Sequence, residues 1–86
     1  MSKLKITREA AGLSRPDLAD RSGINPRTIE GYEQGKKDIN GAKLKTLLKL
    51  CNALDCRLYD ILDDPELLDL IKQSPDLSGT EKSQGE

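Results

Sequence analysis

Residues 14–35, SRPDLADRSGINPRTIEGYEQG, carry start and stop signals for two short helices joined by a tight turn. The Ser14 hydroxyl can accept the N–H of Asp17 while the Asp17 carboxylate reaches back to Ser14, the reciprocal arrangement of a capping box. Pro16 falls in the first turn, where a missing N–H costs little. This helix is expected to run through Leu18 and Ala19 to about Ser22, with Gly23 supplying the left-handed residue that ends it. Asn25 caps the second helix and Pro26 takes its first position, which also pushes Asn25 out of the helical region. Gly35 ends the second helix. At about 100° per residue, Ile29, Tyr32 and Glu33 share the face that must pack, while Arg27, Glu30, Gly31 and Gln34 share the face turned outward. A short capped helix held clear of its own core can enter a DNA major groove. A plain αα-hairpin with no ligand has the same local pattern.

Working outward, residues 3–11 read as a first helix, with Leu4, Thr7, Arg8 and Ala11 along one side and Gly12 at its end. After the central pair comes the loop KKDIN, polar except for Ile39, which is expected to plug the loop onto the core. Asn40 is placed to cap a fourth helix ending near Leu54. There Leu44, Leu47, Leu48, Cys51 and Leu54 follow helical spacing, Leu50 widens the stripe, and the whole stripe reads as core. Leu58, Ile61 and Leu62 form a short fifth helix over the bundle. Asp64-Pro65 is another cap-and-proline start, for a helix over 65–73 whose Leu67, Leu68, Leu70 and Ile71 must dock on the domain or meet a partner. The acidic residues beyond it lack aromatics and read as disordered. The expected organisation is a domain at 1–62, a helical extension at 63–73 and a disordered acidic tail at 74–86.

Composition narrows the class. The 86 residues include no Val, Phe or Trp and two Tyr, which leaves little strand-forming material and favours an all-α fold. No apolar run approaches the ~18–20 residues of a membrane span, and the N-terminus has no apolar signal region, so a cytoplasmic location is expected. The net charge of −1 hides an asymmetry: 12 basic against 8 acidic side chains through Leu62, and 2 against 7 after it. The compact part is basic and the tail acidic. Cys51 and Cys56 have neither a second cysteine pair nor a histidine to complete a zinc site, and read as reduced thiols in apolar surroundings. Without histidine there is no nucleophile–base set, and the glycines form no phosphate-binding loop. No catalysis, cofactor or small-molecule substrate is expected.

Three pieces of the chain, GLSRPDLADRSGI, NPRTIEGYEQGKKDIN and LKTLLKLCNALDCRLYDIL, resemble the helix-turn-helix domain of Cro/C1-type phage repressors, the XRE family. The run of Leu18-Ala19, Gly23, Ile29, Glu33, Gly35 and Leu47-Leu48 in that order carries the likeness, which covers roughly residues 4–62. It implies a five-helix, lambda-repressor-like bundle that binds double-stranded operator DNA through the major groove, usually as a homodimer. It places Arg15 at the DNA backbone or the first base. Asn25, Pro26, Arg27 and Thr28 stand at the reading end of the third helix, with Glu30 and Gly31 a turn later. Gln34, Lys36 and Lys37 are placed on phosphates. It also implies a buried ion pair between Arg8 and Glu33.

The chain departs from that pattern at three positions. Pro26 cannot donate to a base, Gly31 offers no side chain, and Thr7 replaces an aliphatic residue. Arg27 is then the one good bidentate group, suited to guanine, while Glu30 either accepts from a cytosine amino group or repels phosphate. Gly31 either lets the backbone approach the groove or is a neutral surface position. The leading expectation is a sequence-specific transcriptional regulator, a small repressor. Two alternatives are an antitoxin-type autorepressor holding a toxin through 65–73, and a protein-interaction module that kept the fold without DNA binding.

Overall fold

A computed structural model of the chain describes residues 2–74. Along these residues run α1 (Lys3–Ala10), α2 (Arg15–Ser22), α3 (Pro26–Glu33), a 3₁₀ turn at Ile39–Gly41, α4 (Leu44–Leu54), α5 (Leu58–Ile61) and α6 (Pro65–Gln73), with no strand among them. The expectation of a disordered tail lies, from residue 75 on, outside the described residues.

The central capping signals are all made. Ser14 Oγ accepts from Asp17 N at 3.1 Å, and Asp17 Oδ2 accepts from Ser14 N at 3.0 Å. The Ser14 N–H and then its hydroxyl hold the Asp17 carboxyl below its usual pKa. Gly23 ends α2 at φ 73°, a conformation that favours glycine. Asn25 Oδ1 accepts from Arg27 N at 2.8 Å, so α3 starts where the sequence predicts. Gly35, at φ 77°, turns the chain away after α3.

Burial of one apolar face per helix then assembles the bundle. Leu4, Leu18, Ile29, Leu50, Ile61 and Leu62 are almost fully buried at its centre. Helix α2 packs on α4 and α3, α1 packs on α5 and α3, and α4 packs on α5. The seam between α1 and α5 is partly polar. Lys3 Nζ donates to the carbonyls of Tyr59 and Leu62 at 2.5 and 2.6 Å, and Thr7 Oγ1 donates to that of Asp60 at 3.0 Å. This accounts for Thr7: an aliphatic side chain there has no hydroxyl to donate to the Asp60 carbonyl in the last turn of α5.

Two expectations about the fourth helix are corrected. The stripe is narrower than its spacing implies: Leu47, Leu50, Cys51 and Leu54 are buried, but Leu44 and Leu48 stay 52% and 43% exposed on the side away from α2 and α5. Nor does Asn40 cap α4, which starts after Lys43 with no side-chain cap. Asn40 sits in the 3₁₀ turn, and its Oδ1 accepts from Asp63 N at 3.0 Å and Asp64 N at 3.1 Å. Its Nδ2 donates to Asp63 Oδ1 at 2.8 Å. Asparagine is used here to tie the turn after α3 to the segment that enters α6.

Helix α6 docks on the domain. Asp64 caps it, Ile71 is buried in the core, and Leu67 and Leu68 pack half-buried against it. The Lys72 ammonium stands 5.6 Å from the Tyr59 ring centroid, within cation–π range. Leu70 points away and is 55% exposed, against 4% for Ile71. Ile71→Ala should therefore destabilise the protein by about 2–4 kcal/mol, and Leu70→Ala by no more than about 0.5 kcal/mol. Urea denaturation of the two variants checks this; equal effects would mean that α6 is not held as described.

Candidate nucleic-acid interface

Helix α3 is locked from behind by one buried carboxylate. Glu33 has 1% of its side chain exposed, and Arg8 has 8%. Arg8 Nε and Nη2 donate to the two Glu33 oxygens at 2.7 and 3.1 Å. Arg15 Nε adds a third bond, to Oε1 at 3.0 Å. Arg8 Nη1 also donates to the Leu13 carbonyl at 2.8 Å, so the same guanidinium holds the α1–α2 turn. Burial is the largest influence on Glu33 and opposes its charge. The bonds and charges of Arg8 and Arg15 together outweigh it, and the carboxyl pKa falls below its usual value. The bond to Glu33 raises the Arg8 pKa against the pull of burial.

Among the described residues, no helix packs closely on the other side of α3. Arg27, Glu30, Gly31, Gln34 and Lys36 line a shallow hollow of about 370 Å³. Arg27, Gln34 and Lys36 are exposed, and Glu30 is partly so. Gln34 Nε2 donates to Glu30 Oε2 at 3.0 Å, and Arg15 Nη1 lies 3.6 Å from that oxygen. At the leading end, Pro26 is exposed, Thr28 is half-buried, and the Asn25 side-chain oxygen Oδ1 is occupied by its capping bond. Of the expected DNA contacts, Arg27, Glu30, Gln34 and Lys36 thus stand together on one open surface.

Two of the expected site residues, Arg15 and Gly31, lie differently from their sequence reading. Arg15 turns inward to Glu33 and toward Glu30, with about a third of its side chain still exposed (36%). Gly31 is not a neutral surface position: it is buried. Lys37 covers it, since a Cβ built on Gly31 would stand 3.2 Å from Lys37 Cγ and Cδ. The Gly31 carbonyl also accepts the N–H groups of Lys36 and Lys37 at 2.9 and 3.1 Å. Spacing could have revealed the Glu30–Gln34 bond, an i, i+4 pair. Nothing local to Arg15 or Lys37 signals where those side chains go. Among the described residues, no group of three or more His, Cys, Asp or Glu side chains is placed to hold a metal ion, and Cys51 and Cys56 are free thiols.

Comparison with known proteins follows the same lines. A family model described as the Cro/C1-type helix-turn-helix DNA-binding domain matches residues 3–66. Two curated relatives, both named Antitoxin HigA1, come from Mycobacterium tuberculosis strains CDC 1551 / Oshkosh and ATCC 25618 / H37Rv. Each is 37% identical over 60 residues, which is 70% of this chain and 38% of the relative. The chain thus spans well under two thirds of the length of these relatives. No solved structure matches it.

The Glu33 cluster has a measurable signature. Glu33→Ala leaves Arg8 buried without its partner and should cost up to ~3–5 kcal/mol. Because the folded pKa of Glu33 is depressed, its contribution is present above the unfolded glutamate pKa of about 4.3 and is lost as pH falls through the lower folded value. The stability gap between wild type and Glu33→Gln should therefore be constant near neutrality and narrow progressively below about pH 4.3. Denaturation midpoints across pH check this; a gap that does not close in acid would place the stabilisation elsewhere.

Proposed function

The chain belongs to the family of Cro/C1-type helix-turn-helix DNA-binding domains, and on that premise we propose that it is a sequence-specific transcriptional regulator, a small repressor that acts as a homodimer in the cytoplasm. It works by binding alone, without a cofactor or a catalytic step. The observation that carries this reading is the pairing of faces on α3: a buried three-member ion cluster behind, and an open polar hollow flanked by Arg27 and Lys36 in front. A helix fixed in orientation and bare on its outer side is what insertion into a major groove requires. Arg27, in the first turn, takes the base edge, and its planar fork suits guanine O6 and N7. Gln34 and Lys36, at the far end, take phosphates. In a symmetric dimer, two such helices would read half-sites about one helical turn apart.

A second reading is favoured by the names of the two curated relatives, both antitoxins. Under it the same head represses its operon, and helix α6 holds a toxin, with exposed Leu70 as an apolar contact. A product of a neighbouring reading frame that copurifies with the chain, and not with a Leu70→Asp variant, would establish it.

The two kinds of DNA contact obey different physics. Arg27→Ala should flatten preference at one base pair per half-site, a loss of about 1–3 kcal/mol in discrimination. Lys36→Ala should weaken binding to all duplexes alike and reduce the log–log salt slope by about 0.9. Binding isotherms over several salt concentrations, with a duplex selected from a random pool and a scrambled control, separate the two. A wild-type chain showing neither preference nor salt dependence would leave the interaction-module reading in its place.

A further inference from the structure

One turn beyond Arg27, on the outward face of α3, this chain has a glycine. Gly31 lies in the wall of the hollow with Arg27, Glu30, Gln34 and Lys36, so its face is the open one. It is nevertheless buried, because the side chain of Lys37 lies across it. We propose that Lys37 fills the empty position from outside the helix and is a base-reading, specificity-determining residue; this rests on the DNA-binding reading above.

The geometry makes the approach a fixed one. Gly35 reverses the chain at φ 77°, and the Gly31 carbonyl then accepts the N–H groups of Lys36 and Lys37 at 2.9 and 3.1 Å. With the backbone of Lys37 bonded to the backbone of residue 31, its stem runs along the helix surface. A Cβ on residue 31 would meet Cγ and Cδ at 3.2 Å and Cε at 3.5 Å. The ammonium is carried one bond beyond Cε, at the end of a stem that remains exposed. A stem laid on a neighbouring apolar surface with its charge in water is an ordinary lysine disposition. A Cβ at position 31 would press on that stem, which would have to give by a few tenths of an ångström, so glycine favours the folded-back lysine.

The chemistry identifies the base pair. Lysine offers three donors and no acceptor, which suits O6 and N7 of guanine. Glu30, in the wall of the same hollow, offers the acceptor that the cytosine amino group of that pair needs. Lys37 and Glu30 together present the complement of a G·C pair, and this gives Glu30 a place on a surface that otherwise faces phosphate.

The test uses the full chain and duplexes enriched from a random-sequence pool, with isotherms for the enriched duplex, each of its single-base-pair variants and a scrambled control, over several salt concentrations. Lys37→Met keeps the apolar stem and removes the donors; it should lose roughly tenfold discrimination at one G·C pair per half-site and keep the preferences elsewhere. Gly31→Ala keeps every charge and pushes the stem aside; it should weaken discrimination at that same pair while melting as a folded protein. The proposal is overturned if Lys37→Met weakens enriched and scrambled duplexes by the same factor, with a log–log salt slope lower by about 0.9, and Gly31→Ala leaves every preference intact. Lys37 is then a phosphate contact only, and the DNA-binding reading survives. A wild-type chain that enriches no sequence and binds without salt dependence overturns both.

Discussion

The carboxylate of Glu33 has lost nearly all of its water, and a charge in that position persists only where hydrogen bonds replace the solvent. Three N–H groups do so, two from Arg8 on α1 and one from Arg15 at the start of α2. Because hydrogen bonds are directional, this fixes more than proximity. It sets the angle at which α3 leaves the body of the protein, and through the bond from Arg8 to Leu13 it also sets the bend between α1 and α2. Apolar packing of the same volume could stabilise the helices equally well. It would not tie three helices and a turn to one point, and a helix that reads DNA is useful only at a defined orientation.

Short helices make such polar ties necessary elsewhere. An eight-residue helix such as α2 or α3 leaves its first four N–H and last four C=O groups without intrahelical partners, about half of its backbone polar groups. The chain meets that demand at several of these ends. Ser14 and Asn25 serve the N-termini of α2 and α3, and Lys3 and Thr7 take the carbonyls of the four-residue α5. Asn40 takes the N–H groups of Asp63 and Asp64 just before α6. Through it the turn that follows the recognition helix and the helix that closes the domain are held together, so α6 belongs mechanically to the DNA-binding body.

What was legible in the sequence divides along distance. Caps and stops act within three residues, so Ser14, Gly23, Asn25, Gly35 and Asp64 announce the ends of α2, α3 and α6 correctly. Periodicity finds α4 but cannot say how far round its neighbours reach, and Leu44 and Leu48 fall just outside their cover. Asn40 looks like a cap for α4 because a cap is local; its partners stand 23 and 24 positions away. In the candidate site, Arg27, Gln34 and Lys36 are legible as an outward set because a single helix and the turn after it present them. The bond of Arg15 to Glu33 spans 18 positions, and the Arg8–Glu33 pair, which spans 25, comes from the family resemblance and not from spacing. The course of the Lys37 side chain is hidden from the sequence for another reason. Lys37 is exposed, as a lysine after a helix is expected to be, and only the glycine six residues before it hints that its stem lies against the helix.

That last relation changes what counts as the reading element. Considered alone, α3 is poorly equipped: its first position is Pro26, which has no donor, and its middle outward position is Gly31, which has no side chain. With the reversed turn at Gly35, the two backbone bonds to the Gly31 carbonyl, and the Lys37 stem laid over the helix, the segment from Asn25 to Lys37 becomes one unit, with Arg27 and Lys36 lining its open face. Its rigidity has two sources acting on opposite sides. The ion cluster at Glu33 holds the inner face, and the turn holds the outer one. A side chain supplied from a turn bonded to the helix loses less freedom on meeting a base than one supplied from a free loop, because the backbone that carries it is already placed. The glycine at position 31 thus costs the helix about 0.8–1 kcal/mol relative to alanine, and in return it leaves room for a lysine whose backbone is anchored to the helix it extends.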